Sequence, residues 1–181
     1  MLFLFLSENY FNFIQISSVK TLLIIRHAKS DQSFFGNDFE RPLNDRGKKD
    51  APVIAKRLLD RNIAIDAFAS SPAKRAKKTA ELFCETYNKN LEDIIFITAL
   101  YHAPAMGFYD VIKFLDNSFN TVAIFAHNPG ITYFVNDLVS DVRIDNMPTC
   151  AVFALQMNIS QWKDFAKSKK EFLFFDYPKN S

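Results

Sequence analysis

Short runs rich in β-branched residues alternate with helical patterns from Lys20 onward, and this alternation restricts the possible folds more than any other feature. It is typical of a sheet whose strands are joined by crossover helices. Strands apolar on both faces indicate a covered, mostly parallel sheet, so we expect a three-layer α/β/α fold. The predicted strands are Thr21–Ile25, Ile65–Ala69, Ile94–Ile97, Thr121–Ala126, Ala151–Met157 and one near Phe172–Phe175. The predicted helices are Arg46–Asp60, Pro72–Tyr87, Pro104–Leu115 and Pro129–Val139, with a short one near Gln161–Lys167.

The length of 181 residues suits one domain, which we expect to span residues 20–181. Residues 1–19 open with an apolar run that Ser7 and Glu8 soon interrupt. No basic residue precedes that run and no A-x-A site follows it, which argues against a signal peptide. The run is also too short and too polar to span a bilayer. We therefore expect an N-terminal extension of unclear role.

Charge and cysteine content narrow the class of protein further. The net charge of +2 draws the chain neither to nucleic acid nor to an anionic membrane. Cys84 and Cys150 stand far apart without C-x-x-C spacing, which argues against a disulfide framework and a zinc knuckle. We expect a cytoplasmic monomer that binds neither nucleic acid nor membranes.

Basic and polar residues follow three of the predicted strands. Ligands of open α/β sheets collect at the carboxyl ends of the strands, so these residues are expected to share one crevice. In chain order they are Arg26 and His27, then Ser70 and Ser71 with Arg75 one turn later, and then His127 and Asn128.

Two of these strand ends lead directly into helices. Ser71 and Asn128 are predicted N-caps, and the proline after each is predicted to take the first helical position. Helix N-termini offer free N–H groups and partial positive charge to an anion.

Each basic residue alone is explained as well by a solvated rim, and each histidine by a structural role. Their repetition at three strand ends, with no acidic residue among them, favours a site for a dianion. Paired guanidinium groups match phosphate best.

Four blocks, RHAKS, RPLNDRG, SSPAKRAKKTA and HNPG, occur in that order. They resemble the histidine phosphatase superfamily, whose fold is phosphoglycerate mutase-like, and within it the SixA-type phosphohistidine phosphatases. The resemblance covers Lys20 to about Met157. It implies a histidine nucleophile that becomes phosphorylated, two phosphate-clamping arginines and a second histidine that donates to the phosphoryl oxygens. It implies no cofactor and no metal. The matching residues are His27, Arg26, Arg75 and His127, in that order of roles.

Other branches of this superfamily carry a carboxylate near the third strand that protonates the leaving oxygen. The stretch Ile94–Tyr109 has no carboxylate, so an alkoxide would leave slowly. His102 or Asp31 could take that part. A phosphorylated imidazole needs less help, because its free ring nitrogen can be protonated before it leaves. Thr98–Asn120 also leaves no room for a helical cap, so a phosphohistidine on a partner protein is the favoured substrate.

Several alternatives stay open at this stage. Arg41 is either a rim contact to substrate or half of a surface salt bridge, and Lys29 is expected outside the site. The chain could instead be a phosphomonoesterase for small molecules, or a module that binds phosphorylated partners without turnover. A zinc site made of His27, His102 and His127 is disfavoured, because Arg26 would repel the cation. Inorganic phosphate and analogous anions are expected to bind in the crevice.

Overall fold

The computed structural model describes residues 19–180, so the predicted N-terminal extension lies outside the described residues except for Val19. Six strands and four α-helices make up the fold. The strands are β1 (Val19–Arg26), β2 (Ala67–Ser70), β3 (Ile95–Phe96), β4 (Thr121–Ala126), β5 (Val152–Asn158) and β6 (Glu171–Asp176). The helices are α1 (Asp45–Asp60), α2 (Lys74–Thr86), α3 (Ala105–Ile112) and α4 (Gly130–Leu138), with 3-10 turns at Asp38–Glu40, Leu91–Asp93, Thr98–Leu100 and Trp162–Lys167.

The sheet has the strand order β3-β2-β4-β1-β5-β6. β1 runs parallel to β4, and β2 runs parallel to both β4 and β3. β5 and β6 are antiparallel additions on the other side of β1. The carboxyl ends of β1, β2 and β4 therefore lie side by side, as the sequence predicted.

The two faces of the sheet carry separate hydrophobic cores. Along β1, Leu22 and Ile24 point into the core that α3 and α4 cover, whereas Leu23 and Ile25 point into the core that α1 and α2 cover. All four side chains are fully buried, which explains why β1 reads as a continuous apolar run. The predicted three-layer α/β/α fold is confirmed.

A loop of residues 31–42, here called the mouth loop, leaves the sheet after β1 and returns to the start of α1. Its base is closed by an antiparallel bridge between Ser30 and Leu43 and by a 2.9 Å hydrogen bond from the Asp31 N–H to the Pro42 carbonyl. Its tip contains the 3-10 turn Asp38–Glu40.

The start of α1 lies directly against the backbone that follows β1. Asn44 caps the helix, its side-chain oxygen accepting a 2.9 Å hydrogen bond from the Gly47 N–H. A Cβ atom at Gly47 would lie 2.1 Å from the carbonyl oxygen of Lys29, so only glycine fits there. The RPLNDRG block thus packs the start of α1 closely against the backbone that follows β1.

The predicted caps of α2 and α4 were wrong. α2 begins at Lys74 with Ala73 as its N-cap, and no side chain caps it. The Ser71 hydroxyl accepts a 3.3 Å hydrogen bond from the Ala73 N–H and also contacts a histidine ring, described below.

α4 begins at Gly130, with Pro129 rather than Asn128 as the N-cap. The Asn128 side chain is used elsewhere: it donates to the Met147 carbonyl at 3.2 Å and accepts from the Thr132 hydroxyl at 2.7 Å.

The segment between β3 and β4 is short. It contains the turn Thr98–Leu100 and α3, and no further helix within this described stretch. The carboxyl ends of the strands are therefore not roofed by a helical insertion from this segment. No helix in residues 19–180 has the length and hydrophobicity needed to cross a membrane.

Candidate active site

A cavity of about 300 Å³ opens at the carboxyl ends of β1, β2 and β4. All four residues predicted to form the phosphate site line it, although they come from three distant parts of the chain. The lining residues are Arg26, His27, Lys29, Ser30, Gln32, Arg41, Arg75, His102, His127, Asn128 and Thr149. A larger groove of about 840 Å³ lies between the mouth loop and α2, and none of those four residues lines it.

His27 lies at the foot of the cavity with 6% of its surface exposed. Its Nδ1 atom is 2.8 Å from the carbonyl oxygen of Ala28. A carbonyl only accepts hydrogen bonds, so this contact keeps the hydrogen on Nδ1 and leaves the lone pair on Nε2. The Nε–H of Arg75 donates to that lone pair at 3.2 Å. The ring is thus held in the tautomer that a nucleophilic Nε2 requires.

Burial lowers the pKa of His27 to about 3. The hydrogen bond to Ala28 opposes this shift, while the guanidinium groups of Arg75, Arg26 and Arg41 add to it by repelling the imidazolium form. Desolvation is therefore a larger cause of this shift than the arginine charges. At neutral pH the ring is uncharged.

The guanidinium of Arg75 is 2% exposed and makes hydrogen bonds in three directions. Besides the bond to His27, it donates to the backbone carbonyl of Asp38 at 2.6 Å and to the Asp38 carboxylate at 2.9 Å. The mouth loop is therefore connected to His27 through one arginine.

Asp38 is the main correction to the sequence analysis, which expected no acidic residue in the crevice. Its carboxylate also accepts hydrogen bonds from Arg41 at 2.5 Å and from the Tyr101 hydroxyl at 3.1 Å. Burial alone would raise the pKa of this carboxyl, but Arg75, with the hydrogen bonds from Arg75, Tyr101 and Arg41, lowers it to about 2. The group is ionised at neutral pH.

The sequence offered one indirect signal for Asp38. It stands three residues before Arg41, the spacing of a local ion pair within one turn. Its approach to Arg75, 37 residues away, depends on how the mouth loop folds back over the strand ends, which no periodicity encodes.

Three buried nitrogen atoms in the cavity wall have no hydrogen-bond partner among the described residues: Nε of Arg26, Nε of Arg41 and Nδ1 of His127. Buried polar atoms are almost always satisfied, so an unpaired set in one cavity indicates an absent acceptor. Two of the three belong to positively charged guanidinium groups, so the cavity wall offers hydrogen-bond donors and positive charge that suit an anion.

Each of these residues is held by a contact at another atom. Arg26 donates from its terminal nitrogen to the Met147 carbonyl at 2.5 Å. Nε2 of His127 lies 2.8 Å from the Ser71 hydroxyl. When that hydroxyl donates to Nε2, the neutral ring carries its hydrogen on the unpaired Nδ1 and can donate it to a ligand.

The two cavity histidines are neighbours, with ring centroids 5.1 Å apart. Burial, followed by repulsion from His27 and Arg75, lowers the pKa of His127 to about 2. His127 is therefore a neutral hydrogen-bonding group at physiological pH.

The remaining predicted residues are divided between the cavity and the surface. Arg41 lines the cavity and pairs with Asp38, so the salt bridge is present and the contact to substrate stays a prediction. Lys29, expected outside the site, is among the lining residues. Asn128 lines the cavity as well.

The two candidate acids differ in position. His102 is at the rim, 56% exposed, with Nε2 3.6 Å from the Asp38 carboxylate. Asp31 does not line the cavity, and its carboxylate accepts hydrogen bonds from the N–H and hydroxyl of Ser33.

The cysteines take no part in this site. Cys84 and Cys150 are buried free thiols, and burial raises the pKa of each. No group of three or more His, Cys, Asp or Glu side chains among residues 19–180 is arranged to hold a metal ion.

Residues 22–96 match the family model of the histidine phosphatase superfamily, branch 1. Over these residues the chain is similar to the histidine phosphatase superfamily. The matched residues include the strand end with Arg26 and His27, the mouth loop with Asp38, and Arg75. The predicted family and the predicted enzyme class, a histidine-type phosphatase, are confirmed. No curated protein has a significant sequence match to the chain.

Solved structures with the same fold include two SixA proteins and a mycobacterial phosphatase. A SixA protein from Agrobacterium tumefaciens superposes with a TM-score of 0.74 at 22% identity, over 88% of this chain and 98% of that one. The protein histidine phosphatase SixA complexed with tungstate gives 0.75 at 20% identity, over 88% and 98%. A mycobacterial glucosyl-3-phosphoglycerate phosphatase with inorganic phosphate gives 0.63 at 15% identity, over 90% and 100%.

Proposed function

We propose that this protein is a metal-independent phosphatase that uses His27 as its nucleophile and forms a phosphohistidine intermediate. One observation carries the proposal: a neutral histidine with its lone pair on Nε2 shares a small cavity with three buried nitrogen atoms that lack acceptors. A phosphoryl group supplies those acceptors and the electrophile at once.

In the first step, Nε2 of His27 attacks phosphorus while the bond from phosphorus to the leaving group breaks. The electron pair of that bond goes to the leaving atom. The hydrogen on Nδ1 of His27 stays there, hydrogen-bonded to the Ala28 carbonyl. Arg75 shifts its Nε–H from His27 to a phosphoryl oxygen, while Arg26, Arg41 and His127 donate to the others. Charge on the transferring group is thereby neutralised by fixed donors.

In the second step, the oxygen of a water molecule attacks phosphorus of the phosphorylated histidine and forms a new bond to it. The bond between phosphorus and Nε2 breaks, its electron pair returns to Nε2, and the water contributes one proton to solvent and one to the product phosphate. The enzyme returns to its neutral tautomer.

We favour a phosphohistidine on a partner protein as the substrate. The carboxylate nearest to the nucleophile, Asp38, is ionised and holds no proton for a departing alkoxide. The short segment between β3 and β4 leaves the cavity open to a side chain carried by a macromolecule. The SixA neighbours support this substrate class by fold similarity.

The second candidate is a phosphatase for small phosphate esters. The glucosyl-3-phosphoglycerate phosphatase neighbour favours it, with a lower TM-score than the SixA neighbours. A third, a phospho-binding module without turnover, is disfavoured because the candidate nucleophile and both clamping arginines are present.

The decisive experiment is a side-by-side assay of a histidine-phosphorylated carrier protein and p-nitrophenyl phosphate, with rapid acid-free quenching. We expect faster phosphate release from the phosphohistidine and an acid-labile phosphoenzyme. His27→Ala should abolish turnover and labelling, whereas His102→Ala, the matched control among the three histidines, should keep the label. A wild-type protein that binds the carrier without releasing phosphate would identify the binding module instead.

A further inference from the structure

Asp38 is an anion beside a site built to bind anions. It does not line the cavity itself, but it pairs with two residues that do, Arg41 and Arg75. Its carboxylate bridges two guanidinium groups, with one oxygen on Arg41 and the other on Arg75. If the Asp38 carboxylate served only to pair with Arg41 and Arg75, it could be buried together with them. Instead its side chain is 41% exposed, while Arg75 beneath it is 2% exposed.

This position coincides with the side of the site from which a leaving group departs. The nucleophile and leaving group of a phosphoryl transfer lie roughly in line on opposite sides of phosphorus. His27 is buried at the foot of the cavity, so the leaving group must lie toward the mouth. Asp38 is at the tip of the mouth loop, and its carboxylate lies 3.6 Å from Nε2 of the exposed rim residue His102. Arg75 donates hydrogen bonds both to this carboxylate and to His27.

The surroundings of Asp38 suit a flat ring better than a flexible alcohol. Tyr101 donates its hydroxyl to the carboxylate at 3.1 Å and packs edge-on against Phe39, with centroids 5.2 Å apart. His102 packs against Tyr101 at 4.1 Å and lies 6.0 Å from His127. An aromatic wall therefore borders the carboxylate at the mouth.

An ionised carboxylate accepts hydrogen bonds and stabilises positive charge, and it repels an anionic leaving group. We propose that Asp38, together with Tyr101, forms a subsite for the protonated imidazole of a phosphohistidine, so that Asp38 is the residue that selects this leaving group. The inference rests on the proposed function of the site.

The step balances as follows. The substrate ring takes a proton from solvent on the nitrogen that does not carry phosphorus, and Asp38 accepts a hydrogen bond from that N–H. Nε2 of His27 forms its bond to phosphorus while the bond between phosphorus and the substrate nitrogen breaks. The electron pair of the broken bond remains on the substrate ring, which leaves as neutral imidazole. Asp38 is unchanged.

The test compares two leaving groups of opposite charge, the imidazole of phosphohistidine and the phenolate of p-nitrophenyl phosphate. We expect Asp38→Asn to lower kcat/KM for phosphohistidine at least about tenfold more than for p-nitrophenyl phosphate, the lower end for a close charge pair. Tyr101→Phe should shift the same ratio in the same direction by less. Glu40→Gln is the matched control, because it removes the same charge from the same exposed turn and should keep the wild-type ratio.

Asp38 could affect turnover either by selecting the leaving group or only by holding Arg75 in place. Inorganic phosphate has no leaving group, so its inhibition constant distinguishes these two roles. We expect Asp38→Asn to change that constant less than it changes phosphohistidine turnover. Equal losses with both substrates and with phosphate would overturn the inference and leave the proposed function standing. A wild-type protein that releases no phosphate from phosphohistidine would overturn both.

Discussion

The Nε–H of Arg75 donates a hydrogen bond to Nε2 of His27 at 3.2 Å. Without a substrate, the lone pair needed for attack is therefore covered by an arginine. In the proposed mechanism, a bound phosphoryl group accepts that N–H, so binding of the anion also frees the lone pair of Nε2. Arg75 would then act on both His27 and the phosphoryl group.

Replacing Arg75 tests this double role. We expect Arg75→Ala to cost about 2–5 kcal/mol of transition-state stabilisation, because it strips one partner from a buried charged contact. Arg75→Lys should recover little, since an ammonium group lacks the planar fork that reaches His27 and Asp38 together. The measurement is kcat/KM. Lys74→Ala is the control, as it removes a neighbouring exposed charge, and an equal loss in that variant would contradict the assignment.

Arg41 provides a test of anion binding separate from the nucleophile. Its buried Nε has no partner among the described residues, so we expect it to contact a bound phosphoryl oxygen. Arg41→Ala should weaken inhibition by phosphate or vanadate about 10- to 100-fold, the range for a hydrogen bond to a charged group. Arg46→Ala removes an arginine of the exposed pair with Asp50 and should leave inhibition unchanged. Similar affinities in both variants would remove Arg41 from the site.

The buried histidines predict how stability depends on pH. The folded-state pKa is about 3 for His27 and about 2 for His127, both below the ordinary value near 6.5. Between pH 6.5 and 3 the unfolded chain binds protons that the folded chain does not, so the free energy of unfolding should fall as the pH falls. Each histidine contributes a slope of up to about 1.4 kcal/mol per pH unit.

Urea unfolding at pH 7, 6 and 5 measures that slope. His27→Gln should reduce it by one histidine's share, and His102→Gln, which removes the exposed histidine, should retain it. Identical slopes in wild type and His27→Gln would show that the ring is not held neutral.

A leaving-group series tests whether any proton donor serves the site. Asp38 is ionised and no carboxylate lies within Ile94–Tyr109, so simple alkyl phosphates should react slowly. We expect phosphohistidine to exceed alkyl phosphates by about 10²–10⁴-fold in kcat/KM, with aryl phosphates between them. Equal rates for phosphohistidine and alkyl phosphates would refute the N-phosphate assignment. His102→Ala would then identify or exclude that ring as the acid.

Gly47 tests the packing that supports the site. An alanine there would bring Cβ to 2.1 Å from the Lys29 carbonyl oxygen and force α1 away from the strand end. We expect Gly47→Ala to lower the free energy of unfolding by about 1–3 kcal/mol. Gly107→Ala, in a helix where the nearest atom is the proline ring of Pro104 at 3.3 Å, is the control and should be far milder. Equal stabilities would mean that the backbone contact adjusts freely.

The sequence predicted the sheet well because buried parallel strands impose their own pattern. Thr121–Ala126 was predicted to the residue, and the ends of β1 and β5 differ by one or two positions. The convergence of Arg26, His27, Arg75 and His127 followed from one rule, that parallel strands end at one edge.

Asp38 and the helix starts could not be predicted in the same way. The proline at each helix start suggested a capping serine or asparagine, but tertiary contacts with His127 and Met147 engage those side chains first. Asp38 lies on an irregular loop, where neither the two-residue period of a strand nor the 3.6-residue period of a helix applies. Its contact with Arg75 therefore depends on the path of the folded loop. Local patterns identify elements, whereas competition for hydrogen bonds is decided by the whole structure.

The closed base of the mouth loop has a consequence for how such proteins diversify. The Ser30–Leu43 bridge closes the base of the loop, so residues 31–42 form an exchangeable module that carries Asp38 and Phe39 on a scaffold holding His27. If Asp38 selects the leaving group as proposed, insertions or replacements there would change that choice while His27 keeps its tautomer. Transplanting this loop between relatives is accordingly a route to new substrate preferences that leaves the chemistry of phosphorus transfer intact.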